Sequence, residues 1–232
     1  MGIRHIIIRI LEQPSIFKER FHKIVPFHSK SCLVVKKLLR TNPKMIIDVG
    51  ASVGDFIRAC KFNFPGIFVY AFEPIKEHNA KLKELDNIEV FDVGLWDKNE
   101  KKTFYFVSEN NTESSFLKPI EYSYEERTIE LKRFDNLDLE IKRPCFLKID
   151  VEGAEDRVLE GFGDFLKEID ILQIEVIYRG YYEKQAKLSK ILGILEKYGF
   201  VGFKQINITY IKGVPDKSDL IFFKKFYGFK KE

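Results

Sequence analysis

Three groups of residues in this sequence have types and spacings that can do chemistry. The first is Asp48-Val49-Gly50-Ala51-Ser52-Val53-Gly54, a D-x-G-x-x-x-G run between the apolar Met45-Ile46-Ile47 and Phe56-Ile57-Arg58-Ala59-Cys60, which continues at helical spacing. Glycines at a helix start let the backbone turn tightly and let a ligand approach main-chain N–H groups that no Cβ shields. The second is Glu73, which ends the apolar run Ile67 to Phe72 and precedes Pro74. A carboxylate at the tip of such a strand can accept both hydroxyls of a ribose. The third is a set of acids that follow later apolar runs: Asp92 after Ile88-Glu89-Val90-Phe91, Asp150 and Glu152 after Cys145-Phe146-Leu147-Lys148-Ile149, and Glu175 after Ile171-Leu172-Gln173-Ile174. Asp150 and Glu175, on adjacent strands, can bind a substrate hydroxyl, and one of them can remove its proton.

The glycine spacing narrows the ligand. A dinucleotide fingerprint needs G-x-G-x-x-G to hold a pyrophosphate, and here Ser52 stands where its second glycine would be. The pattern therefore expects a ligand with a ribose but no pyrophosphate, of which S-adenosylmethionine (SAM) is the commonest. Taken without Glu73, the loop also fits a purely structural strand-turn-helix. Asp92 reads either as an acceptor for an adenine amino group, with Val93 packed on the ring, or as a plain turn residue. Glu152 and Glu155 read rather as acids at a helix start, where the macrodipole favours them.

These residues must be positioned by alternating strands and helices, which implies an α/β domain. The strands are expected at Met45–Ile47, Ile67–Phe72, Ile88–Phe91, Cys145–Ile149 and Ile171–Ile174, with an antiparallel pair, Phe200–Ile206 and Leu220–Phe223, joined through Gly213 and Pro215. Helices are expected after Gly54, over Lys76–Leu85, from Ala154 to Leu166, and over Tyr181–Tyr198, where Gly199 suits a C-terminal cap. A short helix is expected from Phe134. Thr103–Val107 and Thr128–Leu131 read as strands of added structure around a polar loop that carries Ser114 and Ser115.

The chain has 232 residues, which suits one such domain with a small extension. Hydrophobic residues at 45% and charged residues at 32% exclude the disordered and membrane classes. The apolar runs fall well short of the ~20 residues of a membrane span. His5 to Leu11 is too short and too interrupted by charge for a signal-peptide core, so the expected compartment is the cytoplasm. Cys32, Cys60 and Cys145 are widely spaced without a CxxC pair and read as buried reduced thiols.

The net charge of +4 is unevenly placed: residues 1–44 hold ten Lys/Arg against Glu12 and Glu19, a balance of +8, which leaves −4 for the rest. Such an arm can touch an anionic membrane surface, a phosphate-bearing substrate or nucleic acid; it reads equally as a solvated helical lid. Ile3, Ile6, Ile7 and Ile10 fall at helical spacing, Pro14 and Pro26 break the run, and Cys32–Leu39 is a further amphipathic stretch. Residues 1–44 are thus expected to be an N-terminal helical extension, a cap over the pocket or a dimer surface, and 45–232 the main domain. His5, His22 and His28 read as surface or packing residues, His28 being the one to test.

The ordered segments IIDVGASVGDF, AFEP, NIEVFDVGLWD, TESSF, TIELKRFDNL, CFLKIDVEGAEDRVLEGF and ILQIEVIY resemble the FkbM family of SAM-dependent methyltransferases from about Met45 to Tyr178. The resemblance implies a Rossmann-like, seven-stranded class I methyltransferase sheet, mostly parallel with an antiparallel last strand. It implies that Asp48, Gly50, Ser52 and Gly54 hold the amino-acid part of SAM, Glu73 the ribose, and Asp92 with Val93 the adenine. It further implies that Asp150 and Glu152 lie near the methyl group and acceptor, with Ser114 and Ser115 near the pocket mouth. Members of the family typically methylate a hydroxyl, often on a sugar of a glycan, glycolipid or glycosylated natural product, so the expected partner is a saccharide or glycoconjugate. Ser52 replaces a common Asn and Gly94 a common Ala, which puts fine cofactor contacts in doubt.

Methyl transfer from a sulfonium is an in-line displacement, and a sugar hydroxyl is a poor nucleophile that needs a base or a metal. Asp150 is the first choice of base or acceptor ligand and Glu175 the second. The two can instead share a magnesium ion, but no third ligand is evident after Glu175, so no metal site is assigned. A nucleic-acid methyltransferase is the first rival. Asp150-Val151-Glu152-Gly153 stands where a D/N-P-P-aromatic motif would be, and Pro144-Cys145 lies at the strand end away from the cofactor, so nucleic acid is disfavoured. A SAM-binding scaffold without catalysis is the second.

Overall fold

A parallel strand covered on both faces needs apolar side chains at nearly every position, and β1 (Met45–Val49) buries all five of its residues. The structure, a computed structural model, describes residues 21–107 and 111–224. In chain order the elements are α1 (Phe21–Leu39), β1, α2 (Asp55–Asn63), β2 (Phe68–Phe72), α3 (Lys76–Leu82), β3 (Ile88–Phe91), β4 (Gly94–Leu95), β5 (Glu100–Phe106), β6 (Glu125–Lys132), β7 (Cys145–Ile149), α4 (Glu155–Phe162), β8 (Ile171–Ile177), α5 (Leu188–Lys197), β9 (Gly202–Ile206), β10 (Tyr210–Ile211), β11 (Val214–Pro215) and β12 (Lys217–Phe223).

Seven strands form one sheet in the order β3-β2-β1-β7-β8-β12-β9. β12 runs antiparallel to both neighbours, β8 and β9, and the other pairs are parallel. The chain winds outward from β1 to β3 and then crosses back to β7, so β1 and β7 flank the switch point. In open α/β sheets that is where ligands bind, beyond the carboxyl ends of the strands. A second sheet, β4-β6-β5, buries Phe104, Phe106 and Leu131 with Trp96 and Phe116; these are the strands of added structure.

The sheet's two faces carry separate cores. One gathers Ile47, Val49, Phe72, Leu147, Ile149, Leu159 and Phe162, the other Ile46, Ile57, Phe64, Val69, Phe146 and Ile221. Fully burying each such side chain is worth roughly 1.5–3 kcal/mol. Cys32 and Val35 carry α1 into the second core, where the Sγ atoms of Cys32 and Cys60 lie 3.7 Å apart. All three cysteines are free and buried. Among the described residues no helix is long and apolar enough to cross a membrane.

The elements depart from expectation in four places. α1 runs through Pro26 instead of breaking there. Proline costs the bond from its missing N–H to the carbonyl four residues back, and here that loss sits near one end of a helix whose far half is anchored by Cys32 and Val35. α3 stops at Leu82, three residues early. The helix expected from Tyr181 begins only at Leu188. In the stretch before it, Glu183 N–H donates to Lys118 O, Ala186 N–H donates to Gly153 O, and Lys184 has φ 58°, so tertiary bonds use the groups that a helix would need. Glu175 lies within β8 rather than at its end. The reading of residues 3–14, His5, and the side chain of His22 fall outside the described residues.

Candidate active site

Gly50 is where the site begins. It adopts φ +78°, and a Cβ there would lie 1.9 Å from the Asp150 carbonyl oxygen. Only glycine lets the turn after β1 cross the end of β7 this closely. Asp150 N–H donates to Val49 O at 3.0 Å, which ties the two strand ends together. The next turn is held by Glu73: its Oε2 accepts Ser52 N–H at 2.7 Å and its Oε1 accepts Ile75 N–H at 2.8 Å. The carboxylate is buried, with His78 Nδ1 3.5 Å away.

A cavity of about 340 Å³ opens above these strand ends. One end is lined by Gly50, Ser52, Glu73, Ile75, Val93 and Leu95; the other by Asp150, Glu152, Glu175, Lys148, Lys217 and Glu113, with His28 from α1 and Ser114 also on the wall. Asp48, Gly54, Asp92 and Ser115 do not line it. Asp48 is fully buried beneath, 3.5 Å from Lys148 Nζ, and burial above all raises its carboxyl to about 6. Gly54 caps α2 with φ 85°. Asp92 is 46% exposed and pairs with Lys83 at 3.4 Å. Ser115 donates to Glu152 O at 2.7 Å and so fixes the loop from behind, while Ser114 Oγ accepts Val107 N–H at 3.0 Å.

The two acids at the start of α4 divide. Glu155, buried in the first turn of the helix, folds back onto the turn before it, accepting Gly153 N–H at 3.0 Å. Glu152 instead turns into the cavity, with Tyr182 OH donating to its Oε2 at 3.1 Å and Lys217 Nζ 3.0 Å from the same oxygen. Asp150, Glu152 and Glu175 bring ligand oxygens within 4.8 Å of one another. The third carboxylate that seemed missing after Glu175 is therefore present, supplied from before it.

Two lysines hold this acidic wall, and neither was singled out in the sequence. Lys148 is buried within β7, 3.0 Å from Asp150 Oδ2. Burial would raise the Asp150 carboxyl, but the Lys148 ammonium more than offsets this and holds it below the usual range. Lys217, at the start of β12, reaches Glu152, Glu175 Oε2 at 3.3 Å and Glu113 Oε2 at 3.3 Å. Burial pushes Glu152 up to about 8 and raises Glu175 well above its ordinary value, with Asp150 adding to both. Burial and Lys148 hold the His28 imidazole down at about 4, so it is neutral where it stands edge-on to Phe56.

Residues 48–201 match the methyltransferase FkbM domain. The chain belongs to the FkbM methyltransferase family. A curated relative, "Methyltransferase 1" of Beauveria bassiana (strain ARSEF 2860), is 25% identical over 175 residues, which are 64% of this chain and 65% of the relative. This chain thus spans just under two thirds of that relative's length. Among solved structures, the plantazolicin methyltransferase BpumL in complex with SAH superposes with a TM-score of 0.52 at 9% identity, covering 94% of this chain and 95% of that one. The N-terminal domain of EvdMO1, in the presence of SAH and D-fucose, gives 0.50 at 11% identity, covering 86% and 83%. The fold is that of the class I methyltransferases, BpumL among them solved with SAH, and the cofactor implied for an FkbM methyltransferase domain is SAM. The residues present fit that group: a glycine cradle that any Cβ would fill, and a buried carboxylate, Glu73, on the cavity wall.

Proposed function

We propose that the protein is an O-methyltransferase that transfers the methyl group of SAM to a hydroxyl, on a sugar of a glycan, glycolipid or glycosylated natural product. The observation that carries this reading is the acidic wall at one end of the cofactor cavity. These acids accept hydrogen bonds from vicinal hydroxyls, and the ionised Asp150 repels phosphates, so a neutral polyol fits there and a nucleic-acid backbone does not. The D-fucose in the EvdMO1 structure supports the same acceptor class.

In this reading Gly50, Ser52 and Glu73 hold the amino-acid and ribose parts of the cofactor, and Val93 packs on its base. When bound, SAM supplies an electrophilic methyl group whose carbon–sulfur electron pair stays on sulfur as the acceptor oxygen takes the carbon. Asp150 is the group that receives the hydroxyl proton, because Lys148 keeps it ionised and it faces the cavity. Glu175 and Glu152 accept hydrogen bonds from neighbouring hydroxyls and orient the sugar, which is where positioned acceptors contribute most to such a displacement. Ser115 acts through the loop it fixes. Of the extension at residues 1–44, His28 of α1 is the described contribution to the cavity wall, and residues 45–232 are the transferase domain.

The test is to incubate the protein with methyl-labelled SAM and separate polysaccharide, lipid, RNA and protein fractions of a cell extract. Label is expected in the saccharide-bearing fractions, stable to mild base as an ether is and an ester is not. Label confined to RNA or protein would overturn the reading.

A further inference from the structure

Asp150, Glu152 and Glu175 have the makings of a divalent-cation site: three carboxylates, two from the turn after β7 and one from within the adjacent β8, with oxygens within 4.8 Å of one another. Oxygen ligands of this kind bind magnesium or calcium at about 2.0–2.6 Å. The space they surround is already taken. Lys217 Nζ lies 3.2 and 3.0 Å from the two oxygens of Glu152 and 3.3 Å from Glu175 Oε2, and a fourth carboxylate, Glu113, comes within 3.3 Å from the opposite side. The side chain is only 16% exposed, so solvent does not screen this arrangement as it would a surface pair. Lys148 neutralises Asp150 from below in the same way.

We infer that the Lys217 ammonium is the resident cation of the acceptor wall, filling the place between Glu152 and Glu175 that a divalent ion would otherwise take. The inference rests on the reading that this wall holds the acceptor, and it makes Lys217 a positioning residue. An ammonium can neutralise the carboxylates and hold them apart while leaving their outward oxygens free for hydroxyls. A divalent ion would gather the same oxygens onto itself and would stand about one hydrogen-bond length from the ammonium, where like-charge repulsion opposes it. Lys217 opens β12, the antiparallel strand, and so lies at the same end of the sheet as the residues that close the parallel strands β7 and β8.

The experiment is Mn2+ titration of the full chain followed by electron paramagnetic resonance, on the wild type and on Lys217→Met, with SAH affinity measured on both. The wild type is expected to bind no Mn2+ at millimolar concentration, and Lys217→Met to take up one ion at least tenfold more tightly. Lys217→Arg should behave as the wild type. One Mn2+ per wild-type chain at micromolar concentration would overturn the inference, as would a Lys217→Met protein that binds SAH normally and gains no Mn2+. The wild-type titration decides even if the methionine variant fails to fold. Failure of the functional reading would show separately, as absence of methyl transfer to saccharide from a chain that behaves as expected towards Mn2+.

Discussion

The two ends of the cavity are built on different principles. The end proposed for the nucleoside is main chain: a turn that Gly50 alone permits, and a carboxylate, Glu73, each of whose oxygens also accepts a main-chain N–H, from Ser52 or Ile75. The acceptor end is side chain: Asp150, Glu152, Glu175 and Glu113 held by Lys148 and Lys217. A main-chain site is rigid and tolerates little change of shape. A side-chain site can be retuned one residue at a time, which suits one cofactor shared by a family and an acceptor that varies.

That contrast can be broken from either side. The largest effect is expected at Gly50: Gly50→Ala puts a methyl group against the Asp150 carbonyl in a left-handed turn, and calorimetry should find SAH binding lost or weakened more than 100-fold, since the steric clash adds to a backbone strain of about 1–3 kcal/mol. Glu73→Gln keeps the shape of the clamp but weakens its charge-assisted bonds. SAH affinity is expected to fall about 10- to 100-fold, at roughly 1.5–3 kcal/mol for hydrogen bonds to a charged group. Glu175→Gln belongs to the other end and should raise KM for the acceptor about tenfold while leaving SAH affinity within about threefold; equal loss of both would erase the distinction between the ends.

A further effect, on stability and not on binding, lies outside both. Burial raises the Glu155 carboxyl from 4.5 to about 7, despite the N–H groups that favour its ionised form. A carboxyl whose folded value lies above its unfolded one keeps its proton longer in the fold, so stability falls as pH rises through that interval. Glu155→Gln keeps an acceptor for Gly153 N–H and loses the slope. Thermal unfolding should show it stabilised relative to the wild type at pH 8 by on the order of 1–3 kcal/mol, with little difference at pH 4.

The nucleoside end was legible because its signals are local. Gly50, Gly54 and Glu73 sit within one strand-turn-helix-strand unit, where backbone geometry dictates residue type. Asp92 shows the limit: it follows β3 as the pattern requires, yet its side chain turns out to Lys83, because position along a strand does not fix which way a turn residue points. The acceptor end is assembled from residues 113 to 217, and nothing near Lys217 in sequence announces its partners. Lys148 was findable. A lysine inside the apolar strand Cys145–Ile149 must be buried, and a buried ammonium needs a carboxylate; its register partner across β1 is Asp48 and its near neighbour Asp150. The segment before α5 was misread because helix propensity was overridden by backbone bonds to Lys118 and Gly153.

The central claim is that Asp150 serves the acceptor and not the cofactor. The direct measurement is label transfer from methyl-tritiated SAM to a saccharide acceptor by Asp150→Asn, with SAH affinity determined on the same preparation. The account predicts a fall in kcat of about 10²- to 10⁴-fold, the range for losing a positioned base, with SAH binding within about threefold of the wild type. Transfer at the wild-type rate, or loss of SAH binding in step with loss of transfer, would contradict it.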